Sequence, residues 1–109
     1  MDLSNINTIK ALLNRHGFRL SKSLGQNFLT AAWVPKKIVE ASLIDSETGV
    51  LEIGPGIGVL TRQLAEKAGK VAAVEIDKKL MPLLDETLRD CKNVTIINDN
   101  ILKINILTF

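Results

Sequence analysis

The spacing of apolar residues divides the chain into helix-like and strand-like stretches. Apolar residues at every third or fourth position predict a helix that starts near Leu3 and ends near Gly17. The stretch "VPKKIVEASL" predicts a second helix with Pro35 in its first turn. From residue 50 onward, the short apolar runs "VLEI", "KVAAVEID" and "NVTIIND" predict strands, and helical spacing predicts helices over residues 57–67 and 78–88.

The resulting β-α-β-α-β order is typical of a parallel sheet whose faces are covered by helices. Right-handed crossovers place the three strands in the order 3-2-1. We therefore expect an α/β chain with a partial, doubly wound Rossmann-like fold, preceded by N-terminal helices. Residues 1–49 would form an N-terminal helical segment and residues 50–109 the first half of the sheet domain, because such a sheet normally continues beyond three strands.

Composition and charge exclude several classes of protein. Cys91 is the single cysteine, so no internal disulfide can form, and this fits a reducing cytoplasm. The N-terminus lacks a secretory signal, and no apolar run approaches the ~20 residues of a membrane span. His16 has no partners for a metal site or a catalytic triad, and beside Gly17 it is better explained as part of a helix end.

The net charge is only +2, but the basic residues are unevenly distributed. No acidic residue occurs between Lys10 and Lys37. Such a segment can face the phosphates of a nucleic acid, although charge alone equally describes a solvated surface.

A glycine-rich loop follows the first predicted strand. Gly54, Gly56 and Gly58 would allow a tight turn and close approach of a ligand to the backbone, at the start of a helix with free N–H groups. In the dinucleotide fingerprint G-x-G-x-x-G the third glycine would stand at Val59, which disfavours NAD or FAD. The P-loop pattern is also absent from the sequence, so a triphosphate site is disfavoured.

Acidic residues end the second and third predicted strands. Glu75 lies about twenty residues after the first glycine, at the position of an acid that binds ribose hydroxyls. Asp99 can accept a hydrogen bond from an adenine amine, and Ile76 can pack on the adenine ring. This combination suits an adenosine that carries a positive charge, which describes S-adenosyl-L-methionine. Each acid alone would equally suit a helix cap or a solvated loop.

Four motifs together carry a resemblance to a known family. "SLGQNFL" (residues 23–29), "EIGPGIGVLT" (52–61), "VEID" (74–77) and the strand that ends at Asp99 resemble the bacterial ribosomal RNA adenine dimethyltransferases. That family uses S-adenosylmethionine to methylate the N6 atoms of two adjacent adenines near the 3′ end of small-subunit ribosomal RNA. The resemblance implies small-subunit ribosomal RNA and the pre-30S particle as partners, a cytoplasmic location and no membrane association.

The resemblance also implies a set of cofactor-binding residues, namely Asn27, Leu29, Gly54, Gly56, Glu75, Ile76, Asp99 and Asn100. Asn27 and Leu29 would cover the methionine end of the cofactor, and the glycine loop would lie beneath the methionine and the ribose. Asp99 would accept the adenine amine, with the backbone of Asn100 beside it. Asn98 and Asn100 stand where the family pattern has a glycine and a small apolar residue.

The family's catalytic tetrapeptide N-L-P-Y is absent from the 109 residues. We therefore expect no catalytic residue in this chain, which would supply the cofactor-binding half of the enzyme and transfer no methyl group alone. Three alternatives stay open: a large-subunit adenine methyltransferase of the antibiotic-resistance type, a non-catalytic RNA-binding fragment, and a nicotinamide-binding domain. Pro55, within "GPGIG", favours the small-subunit family over the resistance type.

Overall fold

The computed structural model describes residues 2–18, 34–105 and 107 of the chain. Four helices and three strands follow one another in the order α1 (Ile6–Arg15), α2 (Val34–Ala41), β1 (Gly49–Ile53), α3 (Val59–Lys67), β2 (Lys70–Glu75), α4 (Met81–Thr87) and β3 (Val94–Asn98) within those ranges. Two short 3₁₀ turns, Lys78–Leu80 and Ile101–Lys103, follow β2 and β3 respectively.

The three strands form one parallel sheet in the order β1-β2-β3, which confirms the predicted strand order. Ile53 pairs with Val74 at the end of β1, and Glu75 pairs with Asn98 at the end of β3. The carboxyl ends of all three strands therefore meet at one edge of the sheet. The glycine loop and both 3₁₀ turns start from this edge.

One hydrophobic core joins the sheet to α2 and α3. Val39 of α2 and Leu64 of α3 pack with Val71 of β2, and Val50 and Val94 lie beside them. Val50, Val71 and Val94 are paired neighbours across the sheet, so this face is apolar at one level of all three strands. The connection from β1 to β2 runs through α3, and the connection from β2 to β3 runs through α4. Both connections step toward β3, so right-handed crossovers place α3 and α4 on this same face of the sheet.

A second core joins α1 to α4 and to the glycine loop. Leu12 and Leu13 of α1 pack with Leu83 of α4, and Ile57 and Val59 of the loop region pack against this cluster. Burial of one face of α1 stabilises a helix of only 10 residues, which would be marginal in isolation. The N-terminal helix thus contacts the loop that precedes α3.

The N-terminal helix has defined ends. The Asn5 side chain accepts hydrogen bonds from the backbone N–H groups of Asn7 and Thr8, which caps α1. At the other end His16 is the C-cap, and Gly17 follows with φ +78°, as the sequence predicted.

The fourth helix begins later than the sequence predicted. The Asp77 side chain accepts the Lys79 N–H at 2.9 Å and starts a 3₁₀ turn rather than an α-helix. An α-helix from residue 78 would need an N–H donor at Pro82, which proline lacks. The Lys78 carbonyl instead accepts the N–H of Met81, where α4 begins.

Among the described helices none combines the length and the apolar character that crossing a membrane would require.

Candidate functional site

A cleft of about 140 Å³ opens at the carboxyl edge of the sheet. It is lined by Ile53, Gly54, Val74, Glu75, Ile76, Asp99, Asn100 and Ile101. Most of the predicted site residues therefore come together here: Gly54, Glu75, Ile76, Asp99 and Asn100. Gly56 belongs to the adjoining loop but does not line the cleft, and Asn27 and Leu29 lie outside the described residues.

The first two glycines of the loop face open space. Gly54 and Gly56 have φ values of +74° and +60°, in the left-handed region that favours glycine. A Cβ atom at either position would have no neighbour within 4 Å among the described residues. The Gly54 N–H donates to the Val74 carbonyl at 2.8 Å, which ties the start of the loop to β2. The loop therefore presents a bare backbone that a ligand can approach closely.

Gly58 has a different role from the other two. Its φ is +96°, and a Cβ atom there would lie 3.0 Å from Thr87 Oγ1 and 3.3 Å from a Leu88 methyl carbon. The residue thus lets the start of α3 pack closely against the end of α4. The third glycine therefore serves helix packing.

Glu75 is held in place at the end of β2. Its side chain is buried, and Oε2 accepts the Asp77 N–H at 3.0 Å. Its backbone carbonyl accepts from Asn98 Nδ2 at 2.8 Å and from the Asp99 N–H at 3.2 Å. These bonds fix the carboxylate relative to β3. Beside it, the Ile76 side chain is 67% exposed, an apolar surface that a flat ring could cover.

Asp99 and Asn100 form a connected polar pair at the end of β3. Asp99 Oδ1 accepts the Asn100 N–H at 2.7 Å, and Asn100 Oδ1 accepts the Leu102 N–H at 3.0 Å. The Asn100 N–H, which the family resemblance places beside the adenine, is therefore already engaged by Asp99. In the described part of the chain no hydrogen bond engages the second carboxylate oxygen of Asp99, Oδ2, which can serve a ligand.

The structure adds two residues that the sequence analysis left without a role. Thr61 Oγ1 donates to Glu52 Oε1 at 2.5 Å, and both side chains are buried. Burial raises the pKa of Glu52, and the hydrogen bond from Thr61 opposes that rise. A signal was present in the sequence, because Glu52 is the one charged residue in the apolar run "VLEI".

A second unexpected cluster joins α1 to α4. Arg15 donates a hydrogen bond to Glu86, and His16 Nε2 lies 3.0 Å from Glu86 Oε1. The hydrogen bonds from Arg15 and His16 lower the pKa of Glu86. Arg15 is therefore engaged within the fold, whereas Lys36 and Lys37 of the predicted basic segment are exposed.

Comparisons with known proteins agree with this arrangement. A family model described as ribosomal RNA adenine dimethylase matches residues 17–109. Ribosomal RNA small subunit methyltransferase A of Streptococcus pneumoniae (strain JJA) is 52% identical over 106 residues, which cover 97% of this chain and 37% of that protein. The chain thus spans a little over a third of the length of the curated relatives it matches.

Solved methyltransferases share the fold. The 23S rRNA methyltransferase ErmE superposes with a TM-score of 0.62 at 36% identity, over 66% of this chain and 30% of that one. Phosphoethanolamine N-methyltransferase 1 of Haemonchus contortus, solved with phosphoethanolamine and S-adenosylhomocysteine, superposes with a TM-score of 0.67 over 93% of this chain and 22% of that one. At 17% identity the second likeness shows the fold alone. The architecture is thus a partial Rossmann-like methyltransferase fold.

Proposed function

The chain belongs to the ribosomal RNA adenine dimethylase family. From that membership we propose that it is the S-adenosylmethionine-binding part of an enzyme. The enzyme would dimethylate the N6 atoms of two adjacent adenines in small-subunit ribosomal RNA. The observation that supports this most directly is the cleft in which Gly54, Glu75 and Asp99 meet at the carboxyl edge of the sheet. In open α/β sheets, ligands bind at this edge.

The residues of the cleft fit an adenosine group. The Glu75 carboxylate would accept hydrogen bonds from the ribose hydroxyls, and the exposed face of Ile76 would pack on the adenine ring. Asp99 Oδ2 would accept the adenine amine. S-adenosylmethionine, when bound, supplies an electrophilic methyl group on a sulfonium ion. Both acids would also favour this cation electrostatically.

The remainder of the cofactor would lie along the glycine loop. The cleft of about 140 Å³ is smaller than the roughly 300–1,000 Å³ of typical ligand pockets, so it suits the adenosine end alone. Gly54 and Gly56 would lie beneath the methionine and ribose, where the space around their Cα atoms is open. From the family resemblance we assign Asn27 and Leu29 to the cover over the methionine end.

The binding proposal is tested by calorimetry with S-adenosylmethionine and with NAD. We expect S-adenosylmethionine to bind in preference to NAD, and Glu75→Gln to weaken its binding at least about tenfold, since hydrogen bonds to a charged group contribute about 1.5–3 kcal/mol each. Glu66→Gln makes the same change at an exposed position of α3 and should leave affinity unchanged. Preference for NAD would overturn the cofactor assignment, and unchanged affinity in Glu75→Gln would overturn the role of Glu75.

The proposed RNA substrate follows from the family and from the relatives' names. Small-subunit RNA is favoured because the small subunit methyltransferase is 52% identical over 97% of this chain, whereas ErmE is 36% identical over 66%. The likeness to ErmE supports the large-subunit alternative as a related activity. The discriminating assay incubates the full-length protein and labelled S-adenosylmethionine with pre-30S and 50S particles. Label in the large-subunit RNA alone would overturn the proposal.

We also propose that the 109 residues bind cofactor without transferring methyl groups, because they contain no N-L-P-Y loop to position the target adenine. Methyl transfer by the 109-residue chain at the rate of the full-length protein would contradict this. We place the protein in the cytoplasm with the pre-30S particle, in keeping with its single cysteine.

A further inference from the structure

A buried polar pair joins the two ends of the glycine loop. Glu52 lies in β1 just before the loop, and Thr61 lies in the first turn of α3 just after it. We propose that the hydrogen bond between Thr61 and Glu52 acts as a clasp that keeps the glycine loop in its ligand-binding shape, so that both are positioning residues. The proposal rests on the assignment of this loop to the cofactor.

The clasp adds a directional bond between two elements that the hydrophobic core already packs together. Thr61 Oγ1 and Glu52 Oε1 are 2.5 Å apart, and Thr61 is completely buried. The loop between them, residues 54–58, therefore starts from a fixed strand and ends in a helix fixed to that strand. A small rotation of α3 away from β1 would lengthen this bond and displace the loop.

The loop needs such a restraint because of its composition. Its three glycines all have positive φ values, and glycine has more backbone freedom to lose than any other residue. Among the described residues, the Gly54 N–H donates to Val74 O at 2.8 Å and the Gly58 N–H to Pro55 O at 2.9 Å, while Gly58 O accepts the Arg62 N–H at 3.0 Å. Gly56 lies between these bonds. A bond that fixes the distance between β1 and α3 limits the backbone conformations that remain open to Gly56.

Burial of the Glu52 carboxyl group opposes folding, so stability alone does not explain the pair of Glu52 and Thr61. This points to a role of the pair in the site. Burial disfavours the charged form of Glu52, and Thr61 is the hydrogen-bond partner of its carboxyl group within the described residues. A well-packed apolar pair of similar size would fill the same space without this cost. The polar pair instead fixes direction as well as distance, which is what a preorganised loop requires.

The test compares three variants of the protein. Thr61→Val removes the hydroxyl and keeps the shape, and Thr61→Ser restores the hydroxyl. Thr87→Val is the matched control, because Thr87 is also completely buried but its hydroxyl donates to Leu84 O within α4. Because Thr87 also packs against Gly58, the control is read at the Gly54 amide and not at the Gly58 amide. Two quantities are measured: hydrogen exchange of the Gly54 and Gly58 amides, and affinity for S-adenosylmethionine by calorimetry.

We expect Thr61→Val to speed exchange of both loop amides and to weaken S-adenosylmethionine binding by about 2- to 10-fold, because the ligand must then order a loop that the wild type holds in place. Thr61→Ser should restore both quantities, and Thr87→Val should lower the melting temperature with Gly54 exchange and affinity unchanged. Unchanged loop exchange in Thr61→Val, or equal effects in Thr87→Val, would overturn the clasp. Wild-type protein that does not bind S-adenosylmethionine would overturn the proposed function instead, and loop exchange would still decide whether the clasp exists.

Discussion

Replacement of Gly54 by alanine tests the proposed ligand-binding role of the loop separately from its role in the fold. An added Cβ atom would meet no atom of residues 2–18, 34–105 and 107 within 4 Å, because it would point into open space beside the cleft. Any loss of affinity in Gly54→Ala therefore cannot come from a clash with the part of the chain that the structure describes. It must come from the ligand or from the altered backbone preference.

The structure sets the size of both effects. At φ +74° an alanine costs about 1–2 kcal/mol in the left-handed region, and restriction of the unfolded chain returns about 0.4–1 kcal/mol. The net loss of about 1 kcal/mol should lower the melting temperature by about 4–8 °C. A methyl group in the path of the ligand should cost about 1–3 kcal/mol, or about 5- to 150-fold in the Kd of S-adenosylmethionine.

Calorimetry and thermal melting measure these two quantities on the same samples. Gly49→Ala is the control, since no described residue places an atom within 4 Å of its ideal Cβ and its φ is not positive. It should keep the affinity of the wild type and melt at the same temperature or slightly higher. If Gly54→Ala binds S-adenosylmethionine as tightly as Gly49→Ala does, the ligand does not approach this backbone and our placement of it is wrong.

Two further predictions concern stability. Gly69→Ala should destabilise the protein by about 3 kcal/mol, because its Cβ would lie 2.2 Å from the backbone oxygen of Ser46. A melting temperature equal to that of Gly49→Ala would show that the backbone at Ser46 shifts at little cost. Hydrogen bonds from Arg62 lower the pKa of Asp90 from an ordinary 3.8 to about 2, so the stability that this pair contributes is present above about pH 4 and is lost as the pH falls toward 2. In urea titrations the difference between wild type and Asp90→Asn should disappear over that interval, and a difference that stays constant from pH 7 to 2 would contradict the assignment.

The sheet and most of its functional edge could be predicted from the sequence. Each strand is a short apolar run, and the helices between strands force parallel pairing, so strand order follows from chain order. Because the carboxyl ends of neighbouring parallel strands meet at one edge, Glu75 and Asp99 could be placed near Gly54 before any coordinates were known.

The remaining features depend on three-dimensional contacts that local patterns do not encode. The late start of α4 needed attention to the missing N–H of Pro82, which helical periodicity ignores. The bond between Glu52 and Thr61 depends on how α3 folds back on β1 after the loop. The sequence correctly placed His16 at the end of α1. Its contact with Glu86 could not be predicted, because the two residues are 70 apart in the chain.

The contact between α1 and α4 has a consequence for synthesis of the protein. Glu86 is translated 71 residues after Arg15, and at roughly 5–20 residues per second this corresponds to a delay of roughly 4–14 s. During that time Leu12 and Leu13 lack their partner Leu83, and a helix of 10 residues is barely stable alone. The first helix in the sequence is therefore among the last elements to reach its native position, and the nascent chain exposes these leucines until α4 has been made.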